Sequence, residues 1–213
     1  MQTAKTFVVN PSSTEKTQIC ILLDSGTQRT YITVKLARKL NLKQKAMEEI
    51  SVITFGSDKP KIVKTPKVTC EIILANGSVL KIDANVVPKT TRSILRRPLQ
   101  IDKSRNWEYL WSKISLADTL PTEIETSTIE LLIGNDYYLN IVLPEEFVIQ
   151  EGLYLLGSKF GWILSGRAAG NSEDSKEHSL FILNQNSEQS SEISALCNAD
   201  PSIVSMRPHL EGF

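Results

Sequence analysis

Histidine is nearly missing from this chain: His178 and His209 are the two, and both fall near the carboxyl end. The stretch able to build a core therefore holds no histidine base for a Ser-His or Cys-His nucleophilic mechanism. Cysteine is scarce as well. Cys20, Cys70 and Cys197 are widely spaced and odd in number, which argues against a disulfide framework and fits a reducing, cytoplasmic compartment. Cys20 and Cys70 read as small buried strand residues. The cysteines and histidines lack zinc-site spacing, and no glycine-rich loop could cradle a phosphate. No cofactor and no metal are expected.

Charge of either sign is not in excess, with 24 basic and 24 acidic side chains. That balance gives no electrostatic case for nucleic acid or a membrane surface as a direct partner. Lys35, Arg38, Lys39, Lys43 and Lys45 read as a solvated helix face. No apolar run approaches membrane-spanning length, and no apolar segment behind a basic cluster marks a secretory signal. What is present is 41% apolar residues, enough for one sizeable core. Residues 1–168 read as one domain. Beyond them the composition turns to Ser, Asn, Glu and Gln, and little could be buried apart from the run Leu180-Phe181-Ile182-Leu183. Residues 169–213 are expected to be a mostly disordered tail or linker.

Within the domain, Ile19-Cys20-Ile21-Leu22-Leu23 is a short branched run that stops at Asp24-Ser25-Gly26. It reads as a buried strand ending in a tight turn. A buried carboxylate is costly to ionise, so Asp24 needs a purpose at that place. It is either a reactive acid or a turn aspartate bonded to backbone amides. A second apolar strand, Glu130-Leu131-Leu132-Ile133, ends at Gly134-Asn135-Asp136. Asn135 or Asp136 is expected to cap a short helix through Tyr137 to Ile141. Capping is preferred to a catalytic part for Asp136, and Asp118 also reads as structural.

Between these stretches, Thr6 to Val9 reads as a first strand and Thr33 as the cap of a helix to Asn41. Residues 50–64 form an expected hairpin with a polar, exposed tip at 56–60. A second hairpin runs from Val68 to Leu74 and back from Val79 to Val87 across Ala75-Asn76-Gly77. Residues 89–128 break the β pattern. Trp107, Leu110, Trp111 and Ile114 lie on one face of a helix there, read as core packing. Strands near Phe147-Val148-Ile149, Gly152 to Leu156 and Phe160 to Gly166 complete the ordered part.

Asp24-Ser25-Gly26 at the end of such a strand resembles the active-site turn of aspartic proteases. Leu131-Leu132-Ile133-Gly134-Asn135-Asp136 adds a likeness to retropepsins, in which a closing strand packs across that turn and its glycine allows two backbones to approach. The ordered series Leu22 to Arg29, Leu36 to Leu40, Val86 to Lys89, Leu116-Ala117-Asp118, Leu131 to Asp136 and Gly161 to Gly166 resembles the protease segment of BEL/Pao-type retrotransposon polyproteins. Two departures stand out: Thr119 replaces a proline, and Asn135 replaces a small residue. The resemblance implies a mainly β, retropepsin-like closed barrel with a short helix after the closing strand and a partly helical insertion at 89–128. It implies an aspartic endopeptidase acting on peptide or polyprotein substrates. Two Asp24 carboxylates of a homodimer would activate water, with Ser25 bracing them and Gly26 allowing the turn. Thr27 and the flap residues Ile53, Phe55, Gly56 and Ser57 would contact substrate. Gly134, Asn135 and Asp136 would support the site. A catalytically inactive module that binds peptide or dimerises is the alternative.

Overall fold

The computed structural model describes residues 1–13, 15–52, 60–99 and 107–166. The expected flap tip at Ile53, Phe55, Gly56 and Ser57, and the expected tail at 169–213, lie outside the described residues. In chain order the elements are β1 (Thr3–Val9), β2 (Lys16–Leu23), β3 (Tyr31–Thr33), α1 (Val34–Lys39), β4 (Gln44–Val52), β5 (Lys61–Ile73) and β6 (Val79–Val87). There follow β7 (Ile94–Arg96), α2 (Trp107–Lys113), β8 (Glu125–Ser127), β9 (Ile129–Ile133) and α3 (Asn135–Ile141). The last three are β10 (Val142–Gln150), β11 (Leu153–Ser158) and β12 (Ile163–Gly166).

β2 is the axis of the architecture. Its five residues from Ile19 to Leu23 are all buried, as a near-continuous apolar run demands when both faces of a strand are covered. Ile19, Ile21 and Leu23 point into the main core, which also takes Ile32, Leu36, Ile72, Leu131 and Ile133. Cys20 and Leu22 point the other way, into a smaller cluster with Ile94, Ile129 and Leu132. β2 pairs antiparallel with β1 and parallel with β9. The order then runs through β3, β6 and β5. β5 returns to β1 through Val8↔Ile72 and Val9↔Glu71, which closes a six-stranded barrel. Closure leaves these six strands no continuous open edge.

Two strands are longer than their sequence pattern suggests. The returning arm of the first expected hairpin and the outgoing arm of the second are one strand, β5. Its first half pairs with β4, and its second half pairs with β6 from Lys67 onward. Pro66 falls just before that exchange of partners, where no ladder bond to β6 is required of it. β4 begins at Gln44, six residues before the expected start, because residues 44–47 are exposed and carry no alternation to read. α1 agrees with expectation: the Thr33 hydroxyl accepts the Leu36 N–H at 3.2 Å, Leu36 and Ala37 are buried, and Arg38 and Lys39 lie in the last turn. Cations there suit the helix dipole.

The insertion is packed, not merely appended. Leu110 and Trp111 of α2, with Ile114 just after it, pack with Ile149, Leu153 and Leu155 of the sheet β10-β11-β12, forming a second core with Trp162 and Leu164. The side chain of Trp107 lies outside the described residues. A short ribbon, β7 with β8, was not expected; strands of three residues are too short to show a period. Asp118 ties this layer to the barrel. It accepts the Thr3 hydroxyl at 2.7 Å and pairs with Arg96 at 3.1 Å, both charged side chains being about nine-tenths buried.

Burial also governs the thiols. Cys70 is fully buried on β5, and desolvation, aided by Asp83 and Glu71, pushes its pKa up to about 12. Alkylation of the native protein at neutral pH should leave Cys70 unlabelled by mass spectrometry until denaturant is added. Prompt native labelling would contradict this core. Leu131→Ala, at a position with no exposure, should cost about 2–5 kcal/mol in urea unfolding.

Candidate active site

Asp24 follows the last residue of β2, and its N–H donates to the carbonyl of Ile133 at 2.9 Å. The ladder between β2 and β9 thus reaches the acid itself. The carboxylate is half-buried, while Ser25 and Gly26 beside it are exposed. Each oxygen has a donor in its own turn. The Gly26 N–H donates to Oδ1 at 3.0 Å, and the Thr27 hydroxyl donates to Oδ2 at 2.6 Å. Both bonds fix the plane of the group. A Cβ on Gly26 would stand 3.3 Å from Oδ1, so a side chain there would crowd the acid.

The turn is held from behind by the start of α3. Gly134 lies against its backbone: a Cβ would overlap the Arg29 carbonyl and come within 2.7 Å of the Thr27 oxygen. Asn135 N–H donates to that same Thr27 carbonyl at 2.7 Å. Thr30, 1% exposed, completes the fastening. Its hydroxyl accepts the Gly134 N–H at 3.1 Å and donates to Asp136 Oδ1 at 2.7 Å. Its N–H donates to Asp136 Oδ2 at 3.0 Å.

The expected capping role of Asn135 or Asp136 is corrected here. Gly134 is the cap position, and no side chain caps the helix. Asp136 cannot fold back on its own helix because both its oxygens are engaged by Thr30. Its charge still lies in the first turn of α3, where it suits the helix dipole. Asp24, Ser25, Gly26 and Thr27 share one turn with Gly134, Asn135 and Asp136 against it. Thr30 carries no motif in the sequence, because its partners lie 104 and 106 residues further on.

A charged group borders the turn. Glu48 of β4 accepts from Arg29 at 3.0 Å, from Lys67 at 2.7 Å and from Asn85 at 3.1 Å. The Lys67 and Asn85 hydrogen bonds, with the charges of Lys67 and Arg29, outweigh desolvation and lower its pKa. Lys67 is raised in turn, chiefly by its bond to Glu48.

The closed six-stranded barrel with few helices is a retropepsin-like barrel. The family model described as "Putative peptidase (DUF1758)" matches residues 6–176, and the chain belongs to that peptidase family. No curated protein matches it. Among the described residues, no helix is long and apolar enough to cross a membrane.

Thr30→Val keeps the volume and the N–H bond to Asp136 Oδ2 but strips Asp136 Oδ1 and the Gly134 N–H of their hydroxyl partner. It should cost about 1–3 kcal/mol in chemical denaturation; a change inside measurement error would mean the clamp is idle. For Glu48, a lowered folded pKa means stability that is present above the unfolded value and fades as pH falls through the folded one. The stability gap between wild type and Glu48→Gln should therefore close as pH drops below about 4.

Proposed function

We propose that the protein is a retroelement-type aspartic endopeptidase that cleaves polyprotein peptide bonds as a homodimer. The observation that carries the reading is the half-exposed Asp24 carboxylate at the end of β2, gripped by Gly26 and Thr27 in a turn fastened to α3. One chain carries one such turn, so a working site needs a second copy on a two-fold axis.

Two facing carboxylates cannot both ionise, and they share a proton; the aspartic-protease dyad is the standard example of this effect. The two apparent pKa values belong to the pair. The ionised member takes a proton from a bound water, whose oxygen attacks the scissile carbonyl carbon. The protonated member donates a hydrogen bond to the developing oxyanion, and a proton then passes to the departing nitrogen. Gly26 N–H and the Thr27 hydroxyl hold each carboxylate in plane throughout. Asp136, with both oxygens on Thr30, stays out of the chemistry. Retroelement origin rests on the ordered motifs from Leu22 to Gly166, and the peptidase family match supports hydrolysis of peptide bonds.

Asp24→Asn should abolish self-processing of a longer precursor and hydrolysis of a peptide between about pH 4 and 7. Mixing equal amounts of wild type and Asp24→Asn under exchange should leave about one quarter of the activity for a shared site. Retention of about one half indicates a monomeric enzyme and refutes the dimer. Cleavage that persists in the pure mutant assigns the activity elsewhere and leaves the fold as a binding module.

A further inference from the structure

β4 lies outside the closed barrel. Among the described residues it is hydrogen-bonded as a strand to β5 alone, and most of its side chains are exposed. Such an edge strand is free to fray unless side chains tie it elsewhere. Two residues do so. Lys45 reaches past β5 to Asp83 of β6 at 2.8 Å. Glu48 does more, because its carboxylate is divided among three elements: Lys67 on β5, Asn85 on β6 and Arg29 on the Asp24 turn.

The two ends of this arrangement differ in rigidity. Asn85 is 2% exposed, and its N–H donates to the Thr30 carbonyl at 2.9 Å. Arg29 is half-exposed as a side chain. Its backbone stands between Thr27, which holds Asp24, and Thr30, which grips Asp136. The backbone of the turn, Arg29 included, is fixed by bonds from Asn135 and Asn85 and by the Gly134 contact. The Arg29 side chain on its outer limb is held by Glu48.

We infer that Glu48 is a positioning residue for the Asp24 site, its carboxylate fixing Arg29 and β4 relative to one another along the outer limb of the turn. Glu48 does not touch the reacting carboxylate, which keeps its own bonds to Gly26 and Thr27. Loss of Glu48 should therefore loosen the surface beside the acid and leave the acid's geometry intact. For an enzyme this raises KM and spares kcat. The catalytic consequence rests on the endopeptidase reading; the fastening of β4 does not.

The test compares wild type, Glu48→Gln, Arg29→Gln and the double variant in peptide hydrolysis and in native-state amide exchange. Each single variant should raise KM, Glu48→Gln by about tenfold, with kcat within about threefold, and the double should be no worse than Glu48→Gln, since Arg29 acts through one of the contacts that Glu48 makes. Exchange should quicken at 27–31 and 44–52 while β2 and β9 stay protected. Unchanged KM in Glu48→Gln, additive effects of the two changes, or exchange quickened throughout the barrel would each overturn the inference. An inactive wild type overturns the endopeptidase reading instead. Exchange then decides alone: local quickening in Glu48→Gln sustains the fastening, and unaltered exchange at 44–52 ends it.

Discussion

The close approach of Gly134 to the turn after β2 is the constraint on which the site depends. Two backbones meet there with no room for a single side-chain carbon. That contact lets Asn135 reach the Thr27 carbonyl and lets Thr30 reach both Gly134 and Asp136. Without it the Asp24 carboxylate would rest on a surface loop, free to turn toward solvent. With it, a half-buried acid stands at the end of a fully buried strand, its orientation set by a ladder bond and two donors. The energy that holds this half-buried carboxylate in place is supplied underneath, by apolar burial and by a small set of satisfied buried polar groups.

The charges around the site are arranged on the same logic. Among the described residues, every fully buried side-chain polar atom has a partner. Asp118 and Arg96 neutralise one another where the insertion meets β1. Glu48 gathers Arg29, Lys67 and Asn85 where β4 meets the turn. The insertion has its own apolar cluster, built from α2 and the three-stranded sheet, so it adds a second layer without disturbing the barrel.

Much of the site was legible in the linear pattern, for specific reasons. Ile19 to Leu23 could be buried on both faces only as a core strand, and a run that ends at Asp24-Ser25-Gly26 puts an acid at a core boundary. Thr33 announced a helix because capping is local chemistry. Other features left no local mark. β4 is exposed along 44–47 and shows no period. Two separate hairpin arms were read where one strand, β5, changes partners. Asp136 looked like a cap because a helix start was all that neighbouring residues revealed, and its real partner, Thr30, is 106 residues away.

Sequence alone determined the kinds of contact that close within a few residues: apolar period, helix cap, hairpin turn and the acid at a strand end. Tertiary structure decided everything that depends on chain closure. It paired β1 with β5 to shut the barrel, set Gly134 against Arg29, gave Thr30 its two partners and placed Glu48 beside the turn. The reason is physical. A short-range preference is encoded in adjacent side chains, whereas a hydrogen bond across a hundred residues exists only after the hydrophobic core has brought its two ends together.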